Sequence, residues 1–153
     1  MKFEAVSAPA HQADTILPTR ATKDSAGYDF YIKETVKLYP GQTHITFTDV
    51  KAQIDSGYVL EIYPRSGLAT KHGAVLANSV GIIDADYYNN AGNEGNIGIA
   101  LFNRSGKAIT LDKGERVAQG LIKRYYVTDD DAVDGQREGG FGSTNEKESV
   151  ESE

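Results

Sequence analysis

The sequence predicts an all-β fold, a barrel or a sandwich, and three observations predict it. Apolar and polar residues alternate with period two in several short runs, turn signals recur between the runs, and only one segment has helical character. In "HITFTDV" (44–50) Ile45 and Phe47 share one face with Asp49, and the threonines point the other way. In "YVLEIY" (58–63) Tyr58, Leu60 and Ile62 alternate with Val59, Glu61 and Tyr63. In "NIGIALFN" (96–103) Ile97, Ile99 and Leu101 line one face, with Gly98, Ala100 and Phe102 on the other. The turn signals are "YPGQ" (39–42), "DSG" (55–57), "RSGK" (104–107) and "DKGE" (112–115). The one short helix is "SGLATKHG" (66–73), with Ser66 as its N-cap and Gly73 beyond its end. The polar, Gly/Asn-rich stretch "DADYYNNAGNEGN" (84–96) reads as a long loop between two strands.

A chain of 153 residues fits one domain and can bury a core. No apolar run approaches the length of a transmembrane helix. The N-terminus, "MKFEAVSAPAHQ", lacks the apolar region of a secretory signal. Without Cys, disulfides and thiolate metal sites are excluded. The simplest reading is a soluble cytoplasmic protein with no membrane partner. The net charge of −6 is unevenly spread: residues 129–153 hold 9 acidic and 2 basic residues, and the remainder is close to neutral. This divides the chain into a β-barrel or sandwich domain at 1–128 and a flexible acidic C-terminal arm at 129–153. Its last residues, 146–153, have the composition of a disordered segment. Neither part offers a basic footprint, which argues against nucleic acid as a partner.

Several segments carry candidate chemistry. In "PRSGLATKHG" a helix start presents backbone N–H groups, a hydroxyl and a guanidinium together, which suits a phosphate. An ordinary capped helix with a surface Arg accounts for the same residues. In "GIIDADYY", if extended, Asp84 and Asp86 project on one side about 7 Å apart. One carboxylate could then take a proton from water and the other could orient it or bind a hydrated metal; a strand-end turn capped by Asp is the plainer alternative. Asp29 in "SAGYDF" could hold Mg²⁺ through its waters, or simply sit in a turn after Gly27. The three His, at 11, 44 and 72, have no ligand spacing and support no zinc site. The arm contains "REGGFGSTN" (137–145), with one Arg, one Phe, three Gly and a Ser-Thr pair. Such a segment can wrap an anion with N–H groups while the Phe stacks on a base, as aromatics do in single-strand binders. A low-complexity tail is the alternative.

Taken in order, "SAGYDF", "PRSGLATKHG", "NSVGIIDADYY", "GERVAQGLI" and "REGGFGSTN" resemble the five ordered motifs of the homotrimeric dUTP diphosphatases (dUTPases), across residues 25–145. The resemblance implies a jelly-roll-like β-barrel with a flexible C-terminal arm, assembled as a homotrimer whose active sites are each built from all three chains. It implies hydrolysis of dUTP to dUMP and pyrophosphate with Mg²⁺, a reaction that keeps uracil out of DNA and supplies dUMP for dTMP synthesis. By the same resemblance Asp84 activates the water that attacks the α-phosphorus. Tyr87 lies under the deoxyribose and excludes a 2′-OH. Asn78 and the backbone near Gly98 read uracil, and Gly81, Ile82 and Ile83 contact the substrate. Arg65, Ser66, Gly67 and Gln119 hold phosphates, and Asp29 lies near hydrated Mg²⁺. Arg137, Ser143 and Thr144 grip the γ-phosphate, with Gly142 beside them, and Phe141 stacks on uracil. The arm is then a lid that reaches a neighbouring subunit's site, in the cytoplasm of a bacterial or phage-infected cell.

One departure from the pattern stands out: "YNNAGNE" (88–94) lengthens the hairpin before "GNIGIALFN". This loop is expected to bulge outward, with a protein partner at 88–96 or none. Phage-borne relatives make a nucleotide-gated regulator the binding alternative to catalysis. The enzymatic rival, dCTP deaminase, needs a catalytic Glu where this chain has Ala100.

Overall fold

The computed structural model describes residues 1–8, 13–133 and 135. Their strands are β1 (Lys2–Ala5), β2 (Thr19–Arg20), β3 (Tyr28–Tyr31), β4 (Val36–Leu38), β5 (Thr43–Phe47), β6 (Val50–Gln53), β7 (Tyr58–Pro64), β8 (Ala74–Leu76), β9 (Gly81–Ile83), β10 (Gly98–Asn103), β11 (Ile109–Leu111) and β12 (Arg116–Arg124). All four turn signals fall between consecutive strands. Three are closed by backbone bonds: Gln42 N–H to Tyr39 O at 3.0 Å, Tyr58 N–H to Asp55 O at 3.2 Å, and Glu115 N–H to Asp112 O at 2.9 Å. The fourth is closed by a side chain, Asn103, whose Nδ2 donates to Lys107 O at 2.9 Å and whose Oδ1 accepts from Ser105 N–H at 2.9 Å.

The pairings are antiparallel and form four sheets, ordered β1-β6, β5-β10-β8, β4-β11 and β2-β3-β12-β7-β9. This is the all-β, jelly-roll-like arrangement the sequence predicts. The sheets enclose one apolar core in which Phe30, Leu38, Leu60, Ile97, Leu101 and Leu111 are fully buried. The inward face of β10 is the predicted one. Gly120 sits in β12 because a Cβ there would lie 2.8 Å from both Leu60 and Phe30. Among the described residues no helix is long and apolar enough to cross a membrane.

Two local expectations are overturned. In the first, Ile45 and Phe47 do share a face opposite Thr46 and Thr48, but Asp49 does not join them: Ile45 and Phe47 are each 42% exposed, whereas Asp49 is buried, as are the two threonines. The run does not continue through Asp49 but turns there, with φ at 57°. The corner sets the register. Asp49 N–H bonds to Asn96 Oδ1 at 2.9 Å, its Oδ1 accepts from Asn96 Nδ2 at 3.0 Å, and its Oδ2 pairs with Lys33 Nζ at 2.9 Å. Thr48 tolerates burial because its hydroxyl donates to Ile97 O at 2.9 Å. With this pairing fixed, Ile45 and Phe47 face outward and Thr46 inward, opposite to what their hydrophobicity suggests.

The second concerns the short helix. Ser66 does not cap it; the helical backbone already includes Ser66 and Gly67, and continues as a π-helical turn over Leu68–His72. Leu68 anchors the turn in the core. Its C-terminal end is as predicted: Gly73 is left-handed at φ 69°, and its N–H bonds to Ala69 O at 3.2 Å.

Candidate active site

β9 ends at Ile83, and Asp84 follows in extended conformation at φ −82° and ψ 161°. The chain then tightens into a 3₁₀ turn over Ala85–Tyr87, closed by Tyr87 N–H to Asp84 O at 3.1 Å. Asp86 therefore leaves the strand direction: of the two readings the sequence allowed, the strand-end turn is found and the extended Asp84/Asp86 pair is not. Asp84 and Tyr87 instead line one open cavity of about 200 Å³, together with Asn78, Gly81, Ile82, Ile83 and Gly98. Seven predicted residues thus line it, six from "NSVGIIDADYY" and Gly98 from β10. Leu76, Ile62 and Ile99 add an apolar floor, and Ala100 completes the wall.

The cavity can read a flat polar ring through its backbone. β9 is an edge strand, paired with β7 alone in its sheet. Along β10, Ala100 O accepts from Ala77 N–H at 2.8 Å, away from β5. Alternate residues send their peptide groups to the same side. Gly98 therefore presents its N–H and C=O on that side too, where the β8 ladder begins only at Leu101. Donor and acceptor over an apolar floor are the elements a pyrimidine edge requires. A Cβ on Gly81 would lie 3.2 Å from Ile62 and 3.7 Å from Asn78 Nδ2, so Gly lets Asn78 close over the strand.

The predicted phosphate residues gather elsewhere. Asp29, nearly buried in β3, accepts on Oδ2 from Arg65 Nη1 at 2.9 Å and from Arg116 Nη1 at 3.1 Å. Gln119 lies opposite Asp29 in the ladder, and its side chain crosses the place a Cβ on Gly27 would occupy, with Oε1 2.6 Å away. Two guanidiniums on one carboxylate leave a net positive cluster, which suits an anion. Arg116 was missed by sequence reasoning; its presence inside "GERVAQG" was the available signal.

Within one chain this cluster cannot serve Asp84. Ile83 pairs with Leu60, so Asp84 lies beside Val59, while Arg65 is six residues further along β7, about 20 Å away. Asp29 is separated from β9 by β12 and β7, a span of about 14 Å. The cavity is also smaller than the roughly 300–1,000 Å³ usual for ligand clefts. Arg137, Phe141, Gly142, Ser143 and Thr144 lie outside the described residues.

The expected outward bulge at 88–96 is not found. Glu94 pairs with Lys51 Nζ of β6 at 2.5 Å and accepts from Ser7 N–H at 2.9 Å and Ser7 Oγ at 2.8 Å. These bonds hold the Glu94 carboxyl well below the usual range, at about 2. Lys51 also reaches Asn89 Oδ1 at 2.7 Å, and its ammonium lies 5.1 Å from the centre of the Tyr88 ring. A buried Lys needs such partners, and the loop supplies them by folding back. Only the tip, around Asn89, Ala91 and Gly92, is exposed.

Comparisons with known proteins agree with this geometry. The dUTPase family model matches residues 13–145. A deoxyuridine 5'-triphosphate nucleotidohydrolase of Lactococcus lactis is 45% identical over 130 residues, covering 84% of this chain and 87% of that protein. The crystal structure of a dUTPase from Streptococcus mutans superposes with a TM-score of 0.79 at 38% identity, covering 84% of this chain and 99% of that one. A mutant dUTPase from Staphylococcus aureus phage phi11, described with a structural Mg(II) ion, has a TM-score of 0.69 at 26% identity over 88% of this chain and 96% of its own. The match over most of the sequence, on a fold where the residues of "NSVGIIDADYY" and Gly98 line one cavity, places this chain in the dUTPase family of hydrolases.

Proposed function

We propose that the protein hydrolyses dUTP to dUMP and pyrophosphate, with Asp84 as the base that draws a proton from the attacking water. The oxygen of that water bonds to the α-phosphorus, and pyrophosphate departs with the electron pair of the broken P–O bond. Uracil lies on the floor of Leu76 and Ile99, its edge against the Gly98 backbone and Asn78, and Tyr87 backs the sugar. The observation that carries this reading is that six residues of "NSVGIIDADYY", Asp84 among them, and Gly98 of β10 line one cavity.

The triphosphate needs cations that this cavity lacks. We infer that Arg65 of another copy, held with Arg116 by Asp29, supplies them, with Ser66, Gly67 and Gln119 beside it. Such sharing makes the active unit a homotrimer, with the arm at 137–145 covering the site through Arg137, Ser143 and Thr144 and stacking Phe141 on uracil. Phosphoryl transfer is driven by positioning and charge neutralisation, so this set is chemically sufficient. Mg²⁺, when bound, neutralises phosphate oxygens. Among the described residues no three His, Asp or Glu side chains are grouped to hold a metal, which fits an ion that arrives on the triphosphate with its own waters. Asp29 offers one carboxylate whose Oδ2 already serves two arginines, so its contact with such an ion runs through water.

Deamination of dCTP is disfavoured because Ala100 stands on the cavity wall where that chemistry needs a carboxylate. The activity belongs in the cytoplasm, where dUTP and Mg²⁺ are solutes. The test is pyrophosphate release from dUTP, dTTP, UTP and dCTP, with and without Mg²⁺. Release from dUTP alone, and only with Mg²⁺, is expected; an inert protein, or ammonia from dCTP, would overturn the reading.

A further inference from the structure

The Tyr87 side chain lines the cavity, but its hydroxyl is engaged by the loop that follows. It donates to Asn96 O at 2.9 Å and accepts from Asn93 Nδ2 at 2.7 Å. Asn93 uses its whole amide in this arrangement. Its Nδ2 also donates to Asn96 O at 3.2 Å, and its Oδ1 accepts from Asn90 Nδ2 at 2.8 Å and Gly95 N–H at 3.1 Å. Asn90 in turn donates to Tyr87 O at 2.8 Å. Gly95, left-handed at φ 82°, packs so closely that a Cβ would lie 2.7 Å from Tyr87 O. The loop therefore closes on Tyr87 at both its backbone and its hydroxyl. Two ion pairs fasten it to the body, Glu94 with Lys51 and, through Asn96, Asp49 with Lys33.

We propose that Asn93 is a positioning residue for sugar selection: it clamps the Tyr87 hydroxyl so that the ring cannot retreat from a ribose 2′-OH, and loop 88–96 is the rigid backing of that clamp. The inference rests on the reading of Tyr87 as the residue behind the sugar. An apolar wall rejects an added hydroxyl only weakly, by about 10²-fold in a favourable case. That rejection depends on the wall holding its place, because a shift near 1 Å can cancel a selection of this size.

The test measures kcat/KM for dUTP and UTP in the full-length protein and in Asn93→Ala, Tyr87→Phe, Tyr87→Ala and the Asn93→Ala/Tyr87→Phe double variant. The preference for dUTP should fall about tenfold in Asn93→Ala and in Tyr87→Phe, and the double variant should be no worse than the poorer single variant, since the bond from Asn93 Nδ2 to the Tyr87 hydroxyl is lost in both. A ratio of two substrates on the same sample is unaffected by the fraction folded, so a merely stabilising role would leave it unchanged. Should Asn93→Ala not fold, Tyr87→Phe removes the Asn93 bond, together with the hydroxyl's bond to Asn96 O, and leaves the Asn93 bonds to Asn90, Gly95 and Asn96 in place. A wild-type preference in Asn93→Ala or Tyr87→Phe, with Tyr87→Ala impaired, overturns the clamp alone. Independent, multiplying effects in the double variant overturn it as well. A wild-type preference in Tyr87→Ala overturns the reading of Tyr87 itself.

Discussion

The role proposed for Asp84 rests on its position one residue beyond β9, lining an apolar-floored cavity. A carboxylate there can accept a proton from water without competing for a packed partner strand. Replacement by Asn keeps the shape and removes the base. Asp84→Asn should retain binding of a non-hydrolysable dUTP analogue by calorimetry while turnover drops by about 10²–10⁴-fold. Turnover close to that of the parent would remove Asp84 from its assigned role. This residue was legible in the sequence because "GIIDADYY" carries it in a compact motif. Arg116 was not. Its partner Asp29 lies 87 positions away, and the contact depends on a register shift between Arg116 and Ala118 against β3. Nothing local to "GERVAQG" reports such a shift. The Asp84/Asp86 pair failed for a related reason: a 3₁₀ turn and a strand end present the same few polar residues, and closure onto Tyr87 decides between them.

At the scale of elements, the turns were legible and the faces of β5 were not. A turn is settled by its own residues, as at "YPGQ" and "DKGE". The direction of β5 is settled by Asp49, Asn96 and Lys33, which come from three distant parts of the chain. The 88–96 loop is a similar case: polar composition suggested solvent, but Lys51 needed partners and drew the loop inward. This gives the loop a defined pH dependence. The Glu94 carboxyl titrates near 2 in the folded protein against 4.5 for an ordinary Glu, because Lys51 and Ser7 bind its charged form. A lowered carboxyl contributes stability that is fully present above about 4.5 and is lost as pH falls towards 2. Glu94→Gln should therefore melt below the parent at pH 7, with the gap narrowing as pH falls from about 4.5 towards 2. A gap that stays constant across that window would mean the charge of Glu94 does not fasten the loop.

At the scale of the whole molecule, the sequence concentrates nine Asp and Glu residues in 129–153, beyond a near-neutral remainder. Those charges oppose a triphosphate unless they point outward, where screening weakens them beyond about 8 Å. Removing residues 137–153 should cut dUTP hydrolysis sharply while the oligomer by light scattering is unchanged; an unaltered rate would dismiss the arm as a cover. The proposed assembly rests on the geometry of β7. Asp84 and Arg65 lie near opposite ends of that strand, about 20 Å apart, and the proposed reaction uses both. Either the guanidinium cluster has another task, or each site takes its base from one chain and its arginine from a neighbour. The two cases separate cleanly in a mixture. Asp84→Asn and Arg65→Ala should each be inactive alone. Refolded together in equal amounts, they should recover activity, because a shared site is intact whenever its base comes from one variant and its arginine from the other, about a quarter of all sites. If each site were built within a single chain, every chain in the mixture would still carry one lesion, and the mixture would stay as inactive as its parts.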